Sequence, residues 1–114
     1  MTTFDEREQA FERLFAHEEE ARFHTRNRRN RLLATWAGER MGLTGQAAEG
    51  YVTAFIEHGV VTGDEALIAK LQADLKAAGA DEPLPSLRQE MDRCAALSRV
   101  VGGHGVALDQ GSPV

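Results

Sequence analysis

MTTFDEREQAFERLFAHEEEARFHTRNRRNRLLATWAGERMG, residues 1–42, reads as one helix whose character changes twice. It contains no proline, and its first glycine is Gly38. Thr3 is placed to cap the start, with Glu6 three residues on to close a capping box. Asp5 and Glu6 suit the positive end of the helix dipole. Phe4, Phe11, Leu14 and Phe15 follow at helical spacing and form a narrow apolar stripe among Glu and Arg. From His17 to Arg31 the only large apolar residue is Phe23. Charge reverses along the way: residues 1–20 are acidic and residues 22–31 strongly basic. Leu32, Leu33, Trp36, Ala37 and Met41 then begin a core-facing side. A helix from Thr3 to Met41 would be roughly 60 Å long. A small bundle cannot cover that length, so part of the helix has to project, bend or fray.

The rest of the chain repeats the helical pattern in shorter pieces. Gly42 fits a helix-ending position. A second helix is expected over 46–58, with Ala47, Ala48, Tyr51, Val52, Phe55 and Ile56 apolar, and with Gly59 and Gly63 in the turn beyond. Thr62 and Glu65 make a second capping box for a third helix over 64–78, whose inner side is Leu67, Ile68, Leu71 and Leu75. Gly79 ends it. ADEPLP reads as a loop because its prolines resist helix. Ser86 with Gln89 caps a fourth helix over 87–101, carrying Leu87, Met91, Cys94, Ala95, Leu97, Ser98 and Val101. GGHGVALDQGSPV, residues 102–114, reads as a frayed tail. No strand alternation is present and the loops are short. The fold class is therefore all-α: a four-helix, bundle-like domain with a long N-terminal helix or arm and a flexible C-terminal tail.

Composition narrows the function classes. At 114 residues the chain fits one domain. Its net charge of −5 argues against generic nucleic-acid binding, which favours a basic domain. The single cysteine, Cys94, excludes an intrachain disulfide and a multi-Cys zinc site, and fits a reducing compartment. No apolar run approaches the roughly 20 residues of a membrane span. The acidic N-terminus resembles neither a secretory signal nor a transit peptide. A cytoplasmic location without direct membrane insertion is expected.

No catalytic pattern stands out: there is no nucleophile elbow, HExxH or phosphate loop, and the glycines are scattered as helix stops. We expect no enzyme activity. Arg22, Arg26, Arg28, Arg29 and Arg31, with Asn27 and Asn30, admit three readings: a solvated face paired with Glu18–Glu20 and acids of other helices, a dock for an acidic protein, or a phosphate grip. The first is favoured, because only Phe23 interleaves the run. His17, Glu20 and His24 share a face, but a metal site on one exposed helix lacks further donors, so no metal is expected. Cys94 lies on an apolar face and reads as a core residue. Trp36 reads as core with its indole N–H at the rim. The stripe of Phe4, Phe11, Leu14 and Phe15 either folds back on the bundle or docks in a partner's apolar groove. The polar spacer behind it favours docking.

MTTFDEREQAFERLFAHEEE followed by RRNRLLATWAGERMGLTG resembles the ATP synthase inhibitor zeta subunits of alphaproteobacteria, and the resemblance continues through AAEGYV, GDEALIAKLQADL and LRQEM to about residue 101. It implies an all-α, four-helix fold and an inhibitor of the F-type ATP synthase. It further implies that residues 1–19 insert as a helix at a catalytic interface between alpha and beta subunits, against the gamma shaft. Hydrolytic rotation is then blocked and synthesis largely spared. Residues 20–101 would be the helical bundle that holds the inhibitor to the head, and 102–114 a disordered tail. The residues so implicated are Phe4, Asp5, Arg7, Glu8, Phe11, Arg13, Leu14 and Phe15 for docking, and Arg28, Arg29, Asn30, Leu32, Leu33 and Trp36 for anchoring. The partners implied are the alpha, beta and gamma subunits, which would hold a free monomer peripherally at the inner membrane. No cofactor is implied beyond weak adenine-nucleotide binding. His58-Gly59-Val60-Val61 departs from the more charged loop expected of the family, and the tail from Gly102 has no clear counterpart. The alternative is a small helical nucleic-acid-binding or nucleotide-sensing module.

Overall fold

A computed structural model describes the backbone of residues 3–111 and the side chains of residues 5–100. The described residues form four helices: α1 (Thr3–Arg40), α2 (Gly45–Val61), α3 (Asp64–Ala77) and α4 (Leu84–Gly111). No strand occurs among the described residues. The all-α, four-helix architecture is as expected.

α1 is unbroken. Its end follows from Gly42, whose φ of 78° is left-handed. Leu43 N–H donates to Gly38 O at 2.9 Å and Gly42 N–H to Glu39 O at 3.1 Å, which is the Schellman pattern. Gly79 closes α3 in the same way: its φ is 79°, and Ala80 N–H donates to Leu75 O at 2.8 Å. At both positions a side chain would strain the backbone.

Four helix ends differ from the sequence expectation, in extent or in capping. α2 runs on to Val61, so Gly59 lies inside a helix rather than in a turn. Thr62 does not cap α3. Its hydroxyl donates to His58 O at 2.9 Å and closes α2, while Gly63 is the residue before α3 and no side-chain cap forms there. α4 starts at Leu84, so Pro85 and Ser86 fall in its first turn and the Ser86–Gln89 box is not a cap. Pro85 fits because first-turn N–H groups have no helical partner to lose. At the other end the backbone of α4 is helical to Gly111. That backbone passes the end expected at residue 101 and covers most of the segment read as a tail, while side chains from residue 101 onward, and residues 112–114 altogether, lie outside the described residues. The same holds for the capping side chain of Thr3.

The core lies where α2, α3 and α4 close on the C-terminal half of α1. α1 packs mainly on α2 and α4. Arg40, at the end of α1, pairs with Glu82, just before the start of α4, and the two helices pack along each other, so α1 and α4 run antiparallel. Leu33, Ala34, Ala37, Phe55, Leu71, Leu75, Leu87 and Cys94 are fully buried. On α1 the buried side is Asn30, Leu33, Ala34 and Ala37. Leu32, expected with them, is on the rim at 36% exposure, because a neighbouring residue points about 100° away around the helix. Leu97, also expected inside, is exposed, and Ser98 takes the buried place with its hydroxyl donating to Cys94 O at 2.8 Å. Tyr51 is half-buried and donates to Asp74 Oδ2 at 2.9 Å, which ties α2 to α3. Burial and the neighbouring Asp74 carboxylate push its phenol well above the ordinary range.

Candidate docking site

From Asp5 to His24 every residue of α1 is exposed. The stripe does not fold back: Phe11 is 69% exposed, and Leu14 and Phe15 are each 55% exposed. Monomeric surfaces carry single apolar residues as a matter of course, but aromatic and aliphatic side chains repeated along one helical side mark an interaction surface. Asp5, Arg7, Glu8 and Arg13 flank it and are exposed as well. The side chain of Phe4 lies outside the described residues.

An isolated helix of this polar composition would be marginal, since nucleation is its unfavourable step. Here the packed half of α1 supplies the nucleus, and the arm only propagates it. Local pairs add a few tenths of a kcal/mol each. Arg22 donates to Glu19, and His24 Nε2 stands 3.8 Å from Glu20 Oε2. Among the described residues no group of three metal-ligating side chains is assembled, and His17 does not join Glu20 and His24.

The basic run is divided between surface and bundle. Arg28 is half-buried, with Nη2 donating to Thr25 Oγ1 at 3.0 Å. Arg29 is buried at 9% exposure and makes a bidentate pair with Asp64, Nη1 to Oδ2 at 3.1 Å and Nη2 to Oδ1 at 2.9 Å. Its Nε donates to Asn30 Oδ1 at 3.0 Å. Asn30 is fully buried, and its Nδ2 finds no hydrogen-bond partner among the described residues. A Cβ on Gly59 would overlap that Nδ2, so α2 approaches α1 closely here because position 59 has no side chain. Leu33 is in the core, and Trp36 is half-buried against it with the Arg40 guanidinium 4.8 Å from the ring centroid. The residues expected to anchor thus lie where α1 enters the bundle, and those expected to dock between Asp5 and Phe15 stand clear of it.

The roles of Asp64 and Gly59 are not apparent from the sequence. The burial of Arg29 and Asn30 departs from the solvated face favoured for the basic run: Asn30 joins Leu33, Ala34 and Ala37 at helical spacing on the inner side, and Arg29 meets Asp64. Between α1 and α2 lies an open groove of about 550 Å³, lined by Arg31, Thr35, Glu39 and Glu49 over Ala34, Gly38 and Val52. No helix among the described residues is long and apolar enough to cross a membrane.

The family model for ATPase inhibitor subunit zeta matches residues 1–100. The chain belongs to that family. The zeta match takes in the exposed arm, the Arg29–Asp64 junction and the buried core together, so these form one family unit. As a member of an inhibitor-subunit family, the chain has a regulatory role, and that role attaches it to the ATP synthase. Neither a curated protein nor a solved structure matches the chain.

Proposed function

We propose that this zeta-family chain blocks ATP hydrolysis by the F-type ATP synthase by inserting its N-terminal helix, residues 1–19, at a catalytic interface between alpha and beta subunits beside the gamma shaft. The observation that supports this reading most is the unbroken helix that leaves the bundle with Phe11, Leu14 and Phe15 exposed. Burying an exposed side chain of this size contributes about 2 kcal/mol. Three such anchors are enough for a specific dock, with the flanking charges fixing register rather than supplying most of the affinity. Asp5, Arg7, Glu8 and Arg13 are suited to that role.

The bundle then holds the arm in place, with Leu33 and Trp36 packed and Arg28 and Arg29 at its mouth. The partners under this reading are the alpha, beta and gamma subunits, and the chain works in the cytoplasm, held to the membrane only through the synthase. It carries out no chemistry of its own. The test is ATP hydrolysis by the cognate catalytic head, titrated with the full chain and with a chain lacking residues 1–19. The full chain lowers hydrolysis to a plateau and the truncated chain does not. Equal inertness of both, or equal inhibition by both, overturns the reading.

A further inference from the structure

The sequence that carries the arm ends its exposed run at His24, yet the first apolar residue buried on α1 is Leu33. The turns between are held by polar contacts. Arg29 and Asn30 are the first buried residues of α1. Arg29 reaches across to Asp64, the first residue of α3, through both terminal guanidinium nitrogens. Its third nitrogen fixes the Asn30 side chain, and Asn30 fills the space left by the missing side chain of Gly59 on α2. One turn of α1 is thereby tied to α2 and α3 at once. A bidentate Arg–carboxylate pair fixes direction as well as distance, because both partners are planar forks.

We infer that Arg29, Asn30, Gly59 and Asp64 form a latch that sets the angle at which the arm leaves the bundle, making Arg29 and Asp64 positioning residues for inhibition. The leverage is large. Phe11 lies roughly 27 Å along the helix from Arg29, so a tilt of about 10° at the latch moves it by about 5 Å. A displacement of that size would carry an anchor out of its pocket. Asp64 is more than half exposed, so neutralising it leaves the packed core in place. The inhibitory consequence rests on the function proposed above; the arm's orientation does not.

The experiment measures residual dipolar couplings of backbone amides in the free, full-length chain, together with inhibition of the cognate catalytic head. In the wild type, amides of residues 8–24 and of the bundle fit one alignment tensor. In Asp64→Asn, and in Arg29→Met, which keeps the buried stem, the couplings of residues 8–24 shrink at least about twofold while bundle couplings hold. The concentration for half-inhibition then rises on the order of tenfold, because orientation is lost before binding. Asp64→Glu restores both. Arm couplings that stay on the wild-type tensor in both variants overturn the latch, as does a loss shared equally by arm and bundle. Loosened arm couplings with unchanged inhibition overturn its role as a positioning device. If the wild-type chain leaves hydrolysis untouched, the inhibitor reading fails, and the couplings still decide the latch.

Discussion

Gly59→Ala should change sign with the residue at position 30. Position 59 lies inside α2, where alanine is favoured over glycine by about 1 kcal/mol if the new methyl finds room. It does not find room here. The added Cβ would overlap Asn30 Nδ2 and stand 3.4 Å from Asn30 Cγ and 3.6 Å from Leu67 Cδ2. Asn30 cannot swing aside freely, since it is fully buried and its Oδ1 accepts the Arg29 Nε–H. Overpacking of this kind costs about 2 kcal/mol, so Gly59→Ala should destabilise the protein by about 1 kcal/mol net. In an Asn30→Ala background the overlap disappears. Only the ordinary contact with Leu67 remains, and the same substitution should then stabilise by about 1 kcal/mol. The coupling is about 2 kcal/mol, well above the roughly 0.5 kcal/mol expected of independent sites. Urea unfolding followed by circular dichroism on the four proteins measures it, and each kcal/mol should also move Tm by about 4–8 °C. Additive effects, or stabilisation by Gly59→Ala in both backgrounds, would refute the close packing described for α1 and α2.

Phe11→Ala and Phe15→Ala should each weaken inhibition of ATP hydrolysis severalfold while shifting unfolding free energy by less than about 0.5 kcal/mol, since both side chains are exposed; a large loss of stability would mean the stripe packs on the bundle. Burial, followed by the Glu90 charge, pushes the Cys94 thiol up to about 11. At neutral pH it should therefore react with a disulfide reagent about 100-fold more slowly than a free thiol, and at the ordinary rate in denaturant; equal rates in both would place Cys94 at the surface. Hydrogen bonding from Arg93 holds the Glu90 carboxyl below the usual carboxylate range. A depressed native pKa stabilises the fold above the unfolded-state value, and that contribution is lost as pH falls through the native one. Glu90→Gln should thus be less stable than wild type at neutral pH, with the two curves converging in acid; a gap that persists in acid would point to packing instead.

Much of this was legible from residue order. The capping glycines Gly42 and Gly79, the apolar side of α3 and the burial of Cys94 all follow from spacing and from what a left-handed backbone requires. The exposed arm was readable as well, because a stripe backed by more than four turns of charge has no bundle to rest on. What was not legible depends on long-range meetings. Arg29 looks like every other arginine of its run until Asp64 is brought to it from α3. Gly59 looks like a helix stop until Asn30 is seen to need its missing side chain. Leu32 and Leu33 are chemically alike, and only the direction of the helix face separates rim from core. Thr62 satisfied a capping pattern, but the short connection offered its hydroxyl a carbonyl of the preceding helix.

The proposed inhibition depends on where the arm goes. Replacing Phe11 with a photo-crosslinking phenylalanine analogue, and separately Thr53 on the bundle, probes it in the presence of the catalytic head turning over ATP. Both side chains are exposed on the free chain. The expected outcome is covalent adducts from position 11 with the alpha or beta subunit and with gamma, and different products from position 53. Adducts from position 53 alone, with none from position 11, would contradict it.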